Sequence, residues 1–324
     1  MTTDTKERIV QFVKANGRAR IVDLKEFLGI GNTAIHRQLK RLVSTGALIK
    51  VGTAPKVFYV LAEENRGSGR AGKTNELVEK TFLYVSPSGE MLNGRRGFEV
   101  WAKKADREIK ASIVEYVQAR GKADTFIGNN GWIDATEKIK NTFKNVYVDK
   151  VLYKDFYALP VFGKTRLGQL VLYGKQSQDV GIIRRTAEES KELIEKILAF
   201  FEIQAVGFLP HSIPRRLQYL KEFRKYLNLK LPEIDLVKAY AGQIPVAQKS
   251  LSSLEERIEN ASKTIMVKDL KPRFESVLLI DDAVGSGATL NETAKKLKAI
   301  GIANKVIGFA VVGSMKGFEV IREA

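Results

Sequence analysis

The chain has 324 residues, 44% of them apolar, and its 54 Lys and Arg against 37 Asp and Glu give a formal charge of +17. That length supports two or three domains, and no apolar run approaches the roughly 20 residues a membrane helix needs. Cysteine is absent, which excludes disulfides, thiolate metal sites and thiol nucleophiles. With no charged-then-apolar leader at the start, the expectation is a cytoplasmic protein with no membrane partner, whose positive balance suits a polyanionic partner or ligand.

Residues 1–62 carry three helical stripes. Ile9, Phe12 and Val13 form the first, closed by Asn16 and Gly17; Ile21, Leu24, Phe27 and Leu28 form the second, closed by Gly29; Ile35, Leu39 and Leu42 form the third. Residues 48–51 and 57–61 then alternate or run apolar around Gly52, Thr53, Ala54 and Pro55, as the strands of a hairpin would. Three short helices followed by a hairpin resemble a winged helix-turn-helix domain. The third stripe leaves Thr33, His36, Arg37 and Lys40 facing outward with Arg41 nearby, and Lys50 and Lys56 flank the wing. Phosphates and base edges require such donors, and eleven cations against four acids give this segment a net charge of +7. The resemblance implies double-stranded DNA as a partner, read by these residues, and a homodimer addressing two half-sites.

Residues 63–75 are charged and glycine-rich and read as a flexible linker. Within them residues 67–74 (GSGRAGKT) match the P-loop pattern, but such a loop leaves a buried central strand directly, and here five residues separate it from the wing strand. Residues 76–160 read as a middle α+β region without an assigned role. Strands are expected at 82–85 and 99–102, around turns at Pro87, Ser88 and Gly89 and at Asn93 and Gly94, with a helical stretch from Trp132 through Phe143. His36 and His211 are the two histidines, and neither has the carboxylate spacing of a metal site made by protein side chains alone.

From residue 161 to 324 strand and helix patterns alternate, as an α/β domain requires. Residues 205–209 (AVGFL) form a short buried strand that runs into Pro210, His211, Ser212, Arg215 and Arg216, a strand-end loop whose cations can hold a pyrophosphate. An amphipathic helix to about Leu227, a strand at 234–238 and a long polar segment at 242–262 follow. Residues 277–290 then read VLLIDDAVGSGATL. Four apolar residues in a row suit a strand covered on both faces, and Asp281 and Asp282 fall at its carboxyl end, where open α/β sheets place their ligands. Adjacent acids can accept hydrogen bonds from the neighbouring hydroxyls of a ribose. In the loop of Val284, Gly285, Ser286, Gly287, Ala288 and Thr289, the small residues Gly285, Ser286 and Gly287 let backbone N–H groups close round a phosphate, and Ser286 and Thr289 add hydroxyl donors.

Residues 281–289 resemble, without a gap, the fingerprint of type I phosphoribosyltransferases; Ala283 and Gly285 are smaller than the family usually has. The resemblance implies a Rossmann-like, mainly parallel sheet, ribose binding by Asp281 and Asp282, 5′-phosphate binding by residues 284–289, and phosphoribosyl pyrophosphate with Mg²⁺ as the ligand. Leu209, Pro210, His211 and Ser212 ahead of the arginines, with Gln248, Lys249, Ser250 and Leu251 followed by Arg257 and Asn260, extend it to the ComF-like branch. There Gln248, Lys249, Leu251, Arg257 and Asn260 belong to a mobile lid, and Lys249 and Arg257 become candidates for neutralising pyrophosphate. ComF-like proteins usually begin with a cysteine-rich zinc ribbon, where this chain carries the winged-helix pattern.

The fold class expected is therefore multidomain α/β, a winged helix followed by a phosphoribosyltransferase domain. Its first functional reading is a DNA-binding transcriptional regulator with a phosphoribosyl-pyrophosphate sensor, similar in architecture to the purine repressor of Gram-positive bacteria. The alternative is a Mg²⁺-dependent phosphoribosyltransferase with an accessory DNA-binding domain. Residues 309–317, where a base site would lie, specify neither purine nor pyrimidine.

Overall fold

The computed structural model describes residues 4–314 apart from 46, 52–56, 62–67, 241, 243 and 269–271, and only the backbone of 51, 68–73 and 249. Lys56 and the Lys249 side chain thus lie outside the described residues. The chain separates into two units, residues 1–121 and 122–324.

In the first unit the three stripes become α1 (Thr5–Asn16), α2 (Ile21–Leu28) and α3 (Asn32–Ser44), followed by an antiparallel hairpin of β1 (Leu48–Val51) and β2 (Phe58–Leu61). Local chemistry sets the helix ends. The Asp4 carboxylate accepts the Lys6 N–H ahead of α1, and Gly17 and Gly29, at φ 70° and 67°, close α1 and α2 in a conformation that side chains with a Cβ resist. Ile9, Val13, Leu24, Ile35, Leu39 and Leu48 meet in one core. Ala19 exchanges backbone hydrogen bonds of 2.9 and 2.8 Å with Tyr59, so the stretch before α2 is tied to the hairpin.

The unit continues with α4 (Ser68–Thr81), an antiparallel pair of β3 (Leu83–Val85) and β4 (Met91–Asn93), α5 (Gly94–Lys104) and α6 (Ile109–Asp124). Two expectations are corrected here. Helix begins at Ser68, where a linker was expected through residue 75, and Gly72, Lys73 and Thr74 lie inside α4 rather than in a strand-to-helix loop. The strand expected at 99–102 is part of α5: Val100 and Trp101 favour strands locally, but Phe98 and Ala102 are buried four residues apart, a helical spacing. Phe98 packs edge-on against Phe82 and Tyr116 with ring centroids 4.8 and 5.5 Å away.

The second unit runs β5 (Ile133–Asp134), α7 (Thr136–Thr142), β6 (Lys150–Phe156), the hairpin β7 (Ala158–Leu159) and β8 (Gly163–Lys164), α8 (Arg166–Ser177), α9 (Val180–Phe200), β9 (Ala205–Phe208) and α10 (Tyr219–Leu227). It continues with β10 (Glu233–Ile234), β11 (Leu236–Lys238), a 3-10 turn (Gln248–Ser250), α11 (Leu254–Thr264), β12 (Ile265–Val267), β13 (Phe274–Val284), α12 (Ala288–Ala299) and β14 (Ala303–Gly313). Six strands form one sheet in the order β10-β9-β13-β14-β6-β5, parallel throughout except for β5. The fold is thus mixed α/β with a mainly parallel sheet, and the sheet takes in β5 and β6, ahead of the domain start expected at 161. Where a helix was expected from Trp132, Ile133–Asp134 pairs with β6 and the helix starts at Thr136.

Val277, Leu278, Leu279 and Ile280 are fully buried in β13, each contributing about 1.5–3 kcal/mol relative to exposure. The chain leaves β9 through α10 toward β10 on one side, and leaves β13 through α12 toward β14 on the other. Neighbouring parallel strands whose connections diverge open a crevice at their carboxyl ends.

Candidate functional site

β9 ends at Phe208, opposite Ile280, while β13 continues to Val284 alongside β14. Asp281 and Asp282 therefore lie inside the strand rather than past it, just where the β9 neighbour has stopped. A cavity of about 840 Å³ opens at this point. It brings together both acids, all six residues of the expected phosphate loop, Pro210, His211, Ser212 and Arg215 from the loop after β9, and Gln248 and Arg257 from the lid segment.

The two carboxylates are not equivalent. Asp282 is buried, and the Lys175 ammonium donates to its Oδ1 at 2.6 Å from the last turn of α8. The Arg215 guanidinium in turn donates to the Lys175 backbone carbonyl. Asp281 accepts the Asp282 N–H through Oδ1 at 2.8 Å. Burial, and after it the charge of Asp282, push the Asp281 carboxyl up to about 7, against the opposing pull of Lys175.

The loop that follows is shaped by Gly287, whose φ of 83° caps α12. A Cβ there would also meet the Ile139 Cδ1 methyl of α7, whereas one on Gly285 would meet nothing within 4 Å. Ser286 is buried, and its hydroxyl accepts the Ala288 N–H at 3.3 Å. The first N–H groups of α12 face the loop without intrahelical acceptors, which suits an anion.

Positive charge crowds the other wall. Burial pushes the Lys238 ammonium down to about 8, and it donates to Asn260 Oδ1 at 2.9 Å. Burial and the nearby Lys221 and Lys238 push His211 below the usual imidazole range. Arg257, expected to face a pyrophosphate, is buried and donates twice to the Leu251 carbonyl at 3.0 and 2.8 Å. It fastens the turn, and the Arg257 carbonyl takes the Gln248 side-chain amide at 2.8 Å. Leu251 and Asn260 serve as acceptors in this network rather than lining the cavity, and Arg216 is exposed and lies outside the lining.

Sequence reasoning missed Lys175 and Lys238. Lys175 is 107 residues from Asp282 and belongs to no local motif. Lys238 sits at the end of a strand that pairs with β12, outside the main sheet. No three metal-ligating side chains gather among the described residues, and one carboxylate of the acid pair is bonded to an ammonium, so the Mg²⁺ implied by the sequence resemblance would take most of its ligands from the phosphates it accompanies. In the first unit Thr33, His36, Arg37, Lys40 and Arg41 are exposed along α3, opposite the buried Ile35, Leu39 and Leu42, and Lys50 is exposed on β1.

No family model matches the chain, and neither does any curated protein. Among solved structures, a hypoxanthine phosphoribosyltransferase from Staphylococcus aureus is similar with a TM-score of 0.26 and 16% identity, over 44% of this chain and 68% of that one.

Proposed function

We propose that the second unit binds phosphoribosyl pyrophosphate or a related ribosyl phosphate, and that the first is a winged helix-turn-helix domain that binds double-stranded DNA. Together they make a ligand-responsive transcriptional regulator. The observation that carries the ligand reading is the meeting, in one cavity at a switch point of a parallel sheet, of an adjacent acid pair and a glycine-capped helix start. Asp281 and Asp282 take the vicinal hydroxyls, residues 284–289 take the 5′-phosphate, and the cationic wall takes further phosphates. A cavity of about 840 Å³ falls within the range that encloses small-molecule ligands. On α3 five donor-bearing side chains share one exposed face, the arrangement a recognition helix needs. For the two activities to be linked, ligand must bind DNA-competent and DNA-incompetent forms with different affinity, most simply through a homodimer.

Calorimetric titration with phosphoribosyl pyrophosphate, with ATP as control, tests this reading. Binding is expected, and the double substitution Asp281→Asn, Asp282→Asn should weaken it by roughly 100-fold, since the charge-assisted contact of Asp282 and its ion pair with Lys175 are lost, while DNA binding persists. Undiminished binding by the double variant would refute the site. Release of pyrophosphate when nucleobases are added would turn the regulator into a phosphoribosyltransferase.

A further inference from the structure

Three elements converge on Asp282. β13 presents its carboxylate from the sheet, α8 delivers the Lys175 ammonium to Oδ1 at 2.6 Å, and the loop after β9 fixes the Lys175 backbone through the Arg215 guanidinium. The carboxylate of this pair is 11% exposed and the ammonium 31%, so the contact is shielded, and it is worth more than an exposed ion pair. Its location at the carboxyl end of α8 adds the favourable pull of the helix dipole on a cation. The carboxylate has a second oxygen, and burial raises the neighbouring Asp281 carboxyl, which lessens the charge that the acids present to a ligand. Arg215, Lys221 and Lys238 also line the cavity and add positive charge.

A divalent cation in a site for a multiply charged sugar phosphate has two tasks, balancing the charge of the ligand and relieving repulsion between that ligand and nearby carboxylates. Here side chains of the protein perform both. We infer that Lys175 is the resident counter-ion of the acid pair, a positioning residue that lets this cavity take a ribosyl phosphate without a divalent cation. The inference rests on the ribosyl-phosphate reading above and adds to it a metal-independent mode of binding. Lys175 holds Asp282 in place for a hydroxyl of the sugar and offsets its charge; the cationic wall balances the phosphates.

The test is calorimetry with phosphoribosyl pyrophosphate on the full-length protein, in excess Mg²⁺ and separately in EDTA, for wild type, Lys175→Met and Lys175→Arg. Wild type is expected to bind in EDTA within about tenfold of its affinity in Mg²⁺. Lys175→Met should lose roughly ten- to 100-fold in EDTA, the size of one charge-assisted contact, and recover most of it when Mg²⁺ is restored, while Lys175→Arg stays near wild type. Wild-type binding that requires Mg²⁺ would overturn the inference and leave the ribosyl-phosphate reading standing. So would Lys175→Met binding as tightly as wild type in EDTA. Absence of binding under both conditions would overturn both. The wild-type comparison needs no variant, so a misfolded Lys175→Met, recognised by its thermal melting, does not remove the test.

Discussion

On α3 the charged side chains stand out in solvent with their apolar neighbours turned inward, whereas at the end of β13 the charges are folded into the sheet and answered by the chain itself. The first arrangement suits an extended partner of high charge density: exposed cations act additively, are screened over about 8 Å at physiological salt, and tolerate imprecise placement. The second suits a small ligand of defined shape. Its carboxylates are costly to bury, so each must be held in a particular protonation state by a particular neighbour, and affinity depends on placement. Loss of one group should therefore be severe in the crevice and graded on the helix.

Gly287 gives the sharpest test of that contrast. Gly287→Ala forces a Cβ onto a backbone at φ 83° and into the Ile139 methyl, and should cost roughly 1–3 kcal/mol of stability along with most ligand binding. Gly285→Ala, two residues away with open space around it, should change stability by less than about 0.5 kcal/mol. Thermal melting and calorimetry of the two variants would separate placement from mere bulk, and equal effects would remove the contrast.

The helix face should behave in the opposite way. Arg37→Ala with Lys40→Ala is expected to weaken DNA binding without altering ligand binding, and to reduce the slope of log affinity against log salt by about two, close to one per phosphate contact. A fluorescence titration across salt concentrations measures it, and an unchanged slope would take α3 out of the interface.

The smallest effect concerns pH. Asp281 binds its proton more tightly in the folded chain, near pH 7, than its ordinary value of 3.8 allows, so stability falls as pH rises between those values. Asp281→Asn removes this penalty. The variant should melt a few degrees above wild type at pH 8, and the difference should disappear near pH 4. A lower melting temperature for the variant at pH 8 would mean that Asp281 is held ionised and that the two acids of the pair are alike.

Much of the architecture was legible because it is written in short-range periodicity. Stripes at helical spacing located α1, α2, α3 and α10, and the run VLLI located β13 together with the acids and the small-residue loop beyond it. Where periodicity was weak or contradicted by side-chain type the reading failed: Val100 and Trp101 suggested a strand inside α5, and the glycines before Asn75 suggested a linker where α4 runs. Site residues followed the same division. Those contiguous with the acid pair or with the end of β9 entered the cavity; Arg216, one residue past Arg215, did not, since adjacent residues of a loop need not face the same way.

By itself the sequence determined α1, α2 and α3 of the first unit, the buried strand β13 and the chemistry available at its end, because each depends on neighbours within a turn or two. Tertiary structure alone decided that β5 and β6 join the sheet, that Arg257 fastens a turn, and that Lys175 sits against Asp282. Those outcomes depend on parallel pairing and helix packing between segments as far as 157 residues apart, as Ile307 and Lys150 are, and no local pattern encodes which distant cation a buried carboxylate will meet.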